Sequence, residues 1–469
     1  MKEYCGIVGI YGHSDAARLA YLALYALQHR GEESAGIVSF DRKKVHSHKG
    51  MGLIGNVFDE ESLKKLKGPA AIGHVRYSTT GSSVVKNVQP LLIDHKNGFI
   101  AVAHNGNLMN SVSLRNELED SGSILQTTMD SELIVHLLVK DQRNNYREKI
   151  TPILSKLEGA YSFVLMINGA IYAMRDPYGF RPLVIGKLDG AYIVASETCA
   201  LDMVQASYVR DVEPGETVVI DKNGLVSLKN AAPSPRHAFC IFEFIYFARP
   251  DSNIFTKSVY LTRKSLGRTL AKEHPAEADI VMPIPDSGTC AALGYAQESG
   301  IPLEMAFVRN HYIGRTFIQP SQLIRDFKVK VKLNPVADAL KGKRVVIVED
   351  SIVRGTTSRG RVRALRQAGA SEIHMRVSCP PLISPCFYGI DFPTRKELIA
   401  VKHTIEEIKE FIGVDSLKYL SLEGMLSSMM LPKEEFCTAC FTGKYPTKVC
   451  KPPSKKALEK RCCDDLLKR

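Results

Sequence analysis

A cysteine at position 5, followed at once by Gly6-Ile7-Val8-Gly9-Ile10, is the first residue of this chain equipped for covalent chemistry. Alone, such a cysteine reads as a small hydrophobe in a buried strand. Three polar clusters downstream give it company, each beside an expected strand: His29-Arg30-Gly31, Gly73-His74-Val75-Arg76-Tyr77-Ser78-Thr79 and Ala103-His104-Asn105-Gly106-Asn107-Leu108. If Met1-Lys2-Glu3-Tyr4 were cut away, Cys5 would carry a free α-amine with a pKa of ~8. That amine can take the proton of its own thiol, directly or through a water, without a separate histidine.

A second chemistry is written in Val345-Val346-Ile347-Val348-Glu349-Asp350-Ser351-Ile352-Val353-Arg354-Gly355-Thr356-Thr357-Ser358. An apolar strand ends in two carboxylates, and a turn rich in glycine and threonine then opens a helix. The unpaired N–H groups of a first helical turn, with the dipole, attract phosphate, and the Thr356 and Thr357 hydroxyls add donors. Carboxylates at the strand end can accept from vicinal ribose hydroxyls or meet a magnesium ion, which favours oxygen ligands and substrate phosphates. A third group is Cys437-Thr438-Ala439-Cys440, a C-x-x-C pair open to zinc, a redox dithiol or an iron–sulfur cluster.

The elements that must position these groups fall into two patterns. Residues 5–230 read as many short strands with two clear helices. One follows Ser14 as a plausible N-cap, through Leu19, Leu22, Ala23, Leu27 and Gln28; the other spans 128–140, acidic at its start and basic at its end. Strands are expected at 70–77, 99–103, 161–167, 170–174, 192–196 and 217–220, punctuated by turns such as Asn168-Gly169 and Asp189-Gly190. Ala231-Ala232-Pro233-Ser234-Pro235 interrupts the chain. Beyond it, strands at 279–283, 303–308, 344–349 and 372–378 alternate with helices near 291–298 and 356–368, which argues for a parallel sheet in α/β layers.

At 469 residues the chain calls for two domains, and its 45% hydrophobic and 24% charged residues are those of an ordinary globular protein. No signal peptide or long apolar run is evident, so a membrane role is not expected. Eleven cysteines without a secretory signal fit a reducing cytoplasm, where they serve as thiols, ligands or a nucleophile. The net charge of +12 does not imply nucleic acid: residues 440–469 hold nine Lys or Arg against three Asp or Glu, half of the excess, in what reads as a solvated basic tail.

The clusters around Cys5 resemble the glutaminase domain of the class II glutamine amidotransferases, which are N-terminal-nucleophile hydrolases. That resemblance implies Cys5 as nucleophile, Asn105 and Gly106 as the oxyanion hole, and Arg76 on the α-carboxylate of glutamine. It also implies Asp130 on the α-ammonium, and Arg30 as a further glutamine-binding residue supporting the nucleophile's end of the site. Glu32 departs from the glutamine found in many relatives and is given no role.

The 345–358 motif resembles the phosphoribosyl-diphosphate (PRPP) motif of type I phosphoribosyltransferases, with Glu349 where many relatives carry Asp. The likeness implies a magnesium ion at Ser287, Glu349 and Asp350, and PRPP at Asp286, Arg315, Arg354, Gly355, Thr356 and Thr357. Residues 309–320, rich in Arg and Gly, resemble the family's mobile lid.

Both halves together resemble the iron–sulfur, propeptide-bearing glutamine PRPP amidotransferases. Their fold would be an N-terminal-nucleophile αββα sandwich followed by a parallel-sheet phosphoribosyltransferase domain. The division would be a propeptide at 1–4, a glutaminase domain at 5–234, a phosphoribosyltransferase domain at 235–447 and the tail at 448–469. The resemblance implies a [4Fe–4S] cluster on Cys240, Cys386, Cys437 and Cys440, with Cys379 a rival ligand and zinc the alternative metal. It further implies one magnesium and one cluster per subunit, purine nucleotide inhibitors and a homotetramer. Glutamine, PRPP and water would yield 5-phosphoribosylamine, glutamate and diphosphate. Aminosugar synthases and asparagine synthetases would share only the first half, and a regulatory relative would require damaged catalytic positions.

Overall fold

The computed structural model describes residues 5–77, 83–229, 236–309, 333–390, 394–448 and 458. The N-terminal half is built on two antiparallel sheets. One has seven strands in the order Ser207–Asp211, Val184–Leu188, Ala191–Ala195, Gly6–Tyr11, Ala70–Arg76, Ser34–Phe40 and Val45–Met51. The other has six: Gly224–Lys229, Glu216–Asp221, Ala170–Arg175, Gly159–Ile167, Gly98–Leu108 and Leu91–His95.

Three apolar cores explain the layering. Ile7, Ile72, Ala101, Val164 and Val218 meet between the sheets. Outside the first sheet, Ala20, Ala23 and Leu24 of the Ala16–Ala26 helix pack on Val8, Ile37 and Val75. Outside the second, Leu133, Leu137 and Ile150 cover Ile100, Phe163 and Met174. Alternating side chains on a strand serve two cores at once, and the result is the expected four-layer αββα sandwich.

The second half centres on four parallel strands, Ile280–Pro283, Arg344–Glu349, Glu372–Val377 and Ser416–Tyr419, paired in that order. Helices Val259–Glu273, Thr289–Ser299, Thr356–Gln367 and Ile405–Ile412 accompany them. A short parallel pair, Phe239–Cys240 with Phe436–Cys437, ties the start of this half to its end.

Several local expectations are corrected. Ser14 does not cap the first helix: Asp15 precedes it, and its N–H donates to His13 Nδ1 at 3.0 Å. The helix expected over 128–140 begins only at Glu132, because the Glu132 carboxylate turns back to accept from the N–H groups of Gln126 and Thr127 at 2.7 Å and holds the preceding residues as a loop. Residues 303–308 are not a sheet strand. Leu303 makes one bridge to Val281, and Phe307–Arg309 pairs instead with Leu333–Pro335. Helices at Ser111–Asp120, Tyr146–Leu154 and Thr198–Met203 were not anticipated. The proposed break at 231–235 lies outside the described residues.

Candidate active sites and thiol centre

Cys5 stands just before a strand paired on both edges, with Gly6 opposite Val75 and Ile7 opposite His74. A side chain at Gly6 would lie 2.9 Å from Val75 Cγ2 and 3.0 Å from Leu27 Cβ, so the glycine lets the strand end settle against its neighbours. The buried Cys5 thiol donates to the Tyr77 carbonyl at 3.4 Å. Burial pushes its pKa up to about 11, with Arg76 pulling the other way. With the Tyr4–Cys5 peptide intact, this sulfur is a thiol and not a thiolate.

The facing sheet supplies Asn105 and Gly106, opposite Ser162 and Tyr161. Asn105 is fully buried, and neither its amide nitrogen nor its amide oxygen has a hydrogen-bond partner. A buried amide left unmatched is costly, which marks it as a group kept for a ligand. At Gly106, φ is +153° and a Cβ would sit 2.1 Å from the Ala160 carbonyl oxygen, so no other residue fits.

Asp130, freed from the helix, accepts from the Leu108 N–H at 2.9 Å and lies 3.4 Å from His104 Nδ1. Burial alone would raise its pKa, but the His104 ring and the backbone donors hold the carboxyl below the ordinary range. His74 Nε2 reaches the His104 carbonyl at 3.0 Å and so links the two sheets behind the site. Arg76 is buried, 3.9 Å from Glu33, a carboxylate the sequence reading did not single out. Arg76, Glu33 and Asp130 all act electrostatically on the Cys5 thiol, which places the four together.

Arg30 does not join them as a substrate group. Its guanidinium has no solvent exposure and is bound between Glu197 and Glu243, with Nη2 2.7 Å from Glu243 Oε2. Glu197 also takes His29 at 2.7 Å and Ser252 Oγ at 2.6 Å, and Glu243 also takes Arg181 at 3.2 Å. Arg30 therefore supports the site through a buried ion-pair chain joining both halves. Its partners are too distant in sequence for local spacing to reveal.

In the second half, Gly288 lets its turn press against the central strand, where a Cβ would lie 2.4 Å from the Val348 oxygen. That approach brings Ser287 Oγ to donate to Asp350 Oδ2, with Ser351 donating to Oδ1. Glu349 turns elsewhere: its carboxylate pairs with Arg361 and accepts from Ser358 Oγ at 3.2 Å. Burial raises its pKa, while Arg361 works against the shift. Glu349 is thus engaged by the following helix, while the neighbouring Asp350 carboxylate acts electrostatically on it and adds to the upward shift.

Gly355, at φ +72°, starts the Thr356–Gln367 helix, and a Cβ there would meet Ile399 Cδ1 at 2.9 Å. Thr356 and Thr357 are exposed on its first turn. Arg354 reaches Glu397 at 2.5 Å and Asp286 pairs with Arg309. Arg315 and most of the expected lid lie outside the described residues.

Cys240, Cys386, Cys437 and Cys440 lie near enough to act electrostatically on one another. Cys240 and Cys437 are register partners, and the carbonyl of Cys440 accepts from Ile383 and Ser384 at 3.0 and 3.1 Å. Cys386 Sγ accepts from the Tyr388 N–H at 3.3 Å. Burial raises all four thiol pKa values, that of Cys240 to about 11, and the thiols of Cys240, Cys437 and Cys386 raise Cys440 further. Arg181 opposes the shift at Cys240, Cys386 and Cys437. Cys379 is also buried but donates to the Pro380 carbonyl at 3.3 Å. Among the described residues, no three His, Cys, Asp or Glu side chains are grouped as they would be around a single metal ion. Cys450, Cys462 and Cys463 lie outside the described residues.

Comparison with known proteins places the chain. Residues 74–203 match the glutamine amidotransferase domain family. Amidophosphoribosyltransferase of Bacillus subtilis is 49% identical over 454 residues, which cover 96% of this chain and 95% of that protein. The chain belongs to the amidophosphoribosyltransferase family. A chloroplastic family member, amidophosphoribosyltransferase 2 of Arabidopsis thaliana, is 51% identical, covering 95% of this chain and 80% of that one. The solved structure of glutamine PRPP amidotransferase from B. subtilis, in complex with ADP and GMP, superposes with a TM-score of 0.91 at 48% identity, covering 97% of this chain and all of that one. The family's reaction is the first step of purine biosynthesis, and the N-terminal half of this enzyme is its glutamine amidotransferase domain.

Proposed function

We propose that Cys5 attacks the glutamine carboxamide and releases ammonia, which then adds to C1 of PRPP at the Asp350 end of the second half. The observation that carries this assignment is the Asn105 amide, buried and unpartnered on the strand whose Leu108 N–H donates to Asp130, a carboxylate that acts on the buried Cys5 thiol. When the carbonyl becomes tetrahedral, its oxygen takes on negative charge. The Asn105 Nδ2–H and the Gly106 N–H are the donors for it, and losing one such donor costs ~10²–10³ in rate. Arg76 offers a two-pronged donor for the α-carboxylate, and Asp130, kept ionised, offers an acceptor for the α-ammonium. Removal of residues 1–4 would supply the missing base: the α-amine of Cys5 takes the thiol proton and hands it to departing ammonia. Water then clears the thioester.

At the second site, the N–H groups of the first turn at Thr356 and Thr357 bind the 5′-phosphate. Asp350, with its oxygens at the strand end, accepts from the ribose hydroxyls. The oxygen donors Ser287, Glu349 and Asp350 fit magnesium. When bound, that ion would supply charge neutralisation at the diphosphate leaving group. Closure of the lid over PRPP would leave a dry passage, so that ammonia travels unprotonated between the sites.

The buried thiols of Cys240, Cys437 and Cys440 and the partly buried thiol of Cys386 fit a [4Fe–4S] cluster, whose ligands stand further apart than those of one zinc ion. Its role would be structural, clipping the end of the chain to the core. A homotetramer, inhibition by purine nucleotides and a cytoplasmic location complete the proposal. The nucleotide part of it is supported by the B. subtilis structure, which was obtained with ADP and GMP.

The test is glutamate release from glutamine by the purified full chain, with and without PRPP. Release that PRPP accelerates, together with 5-phosphoribosylamine formed from free ammonia, is the expected result. Hydrolysis indifferent to PRPP would uncouple the two sites and defeat the reading.

A further inference from the structure

The loop of residues 385–390 leaves the second half and lies directly on the strand that carries Asn105 and Gly106. Gly389 packs against Gly106 so closely that a Cβ would stand 3.0 Å from the Gly106 carbonyl carbon, 3.1 Å from its oxygen and 3.2 Å from its Cα. Its φ of +102° also suits only glycine. One residue along, the Phe387 carbonyl accepts from Asn107 Nδ2 at 2.9 Å. The Tyr388 ring stacks on Phe180 with centroids 4.1 Å apart, and its carbonyl accepts from Arg181 Nη2 at 2.6 Å. Arg181 belongs to the buried chain that continues through Glu243 to Arg30.

This packing has a physical purpose. The Asn105 amide has no hydrogen bond of its own to fix its aim, so its direction is inherited from the backbone of the strand. The next residue is a glycine, the one type whose dihedrals no side chain restrains. Among the described residues that stretch is paired along one edge only, opposite residues 159–162, so part of that freedom remains on its other edge. Gly389 against the Gly106 carbonyl, and Phe387 holding Asn107, remove that freedom from outside the sheet.

We propose that the loop of residues 385–390 is a positioning element for the oxyanion hole, so that the second half sets the alignment of the glutamine site through Gly389 and Phe387. The inference rests on Asn105 and Gly106 being the oxyanion donors. Because Cys386 lies in the same loop, disturbance of the thiol centre would reach the glutamine site through it.

The experiment compares Asn105→Ala, Asn107→Ala and Gly389→Ala in the full-length holoenzyme. It measures kcat and KM for glutamine, ammonia-dependent synthesis, iron content and thermal midpoint. A misplacement of catalytic groups by about 1 Å costs on the order of 10²-fold. Asn107→Ala and Gly389→Ala are therefore expected to lower the glutamine kcat about tenfold to a hundredfold. KM for glutamine, iron content and the ammonia-dependent rate should stay at wild-type levels. A loss carried by KM, an equal fall in both activities, or no fall at all overturns the positioning role. Asn107→Ala introduces no bulk at a positive-φ glycine, so it decides the question if Gly389→Ala does not fold. If Asn105→Ala keeps the wild-type glutamine kcat, the oxyanion assignment itself fails. If Asn105→Ala is impaired while Asn107→Ala and Gly389→Ala are not, only the inference about the loop fails.

Discussion

The two reactive regions differ in how much of themselves they keep from water. Around Cys5, the thiol, Arg76, Asn105 and Asp130 are all buried before any substrate arrives. At the phosphoribosyl end, Asp350 is buried, but Asp286, Arg354, Thr356 and Thr357 face solvent. The contrast follows from the chemistry. A small, weakly charged amide must be gripped by donors already aimed and already dry, since a thioester has to be protected from stray nucleophiles. A large polyanion must first be admitted through an open, positively disposed mouth and enclosed afterwards. One region is finished in advance, and the other is completed by its substrate.

Experiments can break that contrast, beginning with the largest effect. Cys5→Ala should abolish glutamine-dependent synthesis by ~10⁴-fold or more, as removal of a nucleophile does, while ammonia-dependent synthesis persists and residues 1–4 are retained on intact-mass measurement. A mutant still using glutamine would remove Cys5 from its role. Glu243→Gln strips the shared counter-charge from Arg30 and Arg181 and should cost about 3–5 kcal/mol of stability, read as a lowered denaturation midpoint. An unchanged midpoint would show that the buried chain is dispensable.

Asp350→Asn should depress glutamine- and ammonia-dependent product formation alike, by ~10²–10³; a fall confined to the glutamine reaction would put Asp350 in the wrong region. The pH test addresses the dry site. With a pKa of about 11 in the uncut chain, the Cys5 thiolate is scarce at neutrality, so alkylation should run ~10²-fold slower than at an ordinary cysteine. Its rate should rise with pH until about 11, whereas the cut chain should react readily near pH 8. The same profile before and after cutting would count against the α-amine as base. Thr357→Val is the smallest change: loss of one exposed donor worth about 1 kcal/mol should raise KM for PRPP roughly fivefold, leaving glutamine hydrolysis without PRPP unaltered.

What could be read from residues alone follows the range of the interactions. Cys5, Arg76, Asn105 and Gly106 sit at strand ends or within strands flagged by their own neighbours, and the strand at Arg344–Glu349 was placed to the residue. The ion pairs of Arg30 are not legible because its partners Glu197 and Glu243 are 167 and 213 positions away. The pairing of Glu349 with Arg361 is not legible either, because it forms only once the helix has folded back along the strand. Residues 303–308 failed for a different reason: a short apolar run satisfies a strand pattern whether or not a sheet edge is available to receive it. Arg181, between Phe180 and Pro182, gave no local signal for its place beside the thiols.

The parallel pairing of Phe239–Cys240 with Phe436–Cys437 has a consequence for how the protein is made. The N-terminal sandwich takes its strands from the first half of the sequence and can condense while the ribosome is still at work, as domains of nascent chains do. The thiol centre cannot. Its first cysteine must wait, already translated and attached to a finished domain, until almost the entire remaining sequence has emerged. Loop-closure entropy makes such a distant pairing slow. Biogenesis therefore has an inherent order, in which the site that liberates ammonia is shaped early and the clasp that joins it to the site of use closes last.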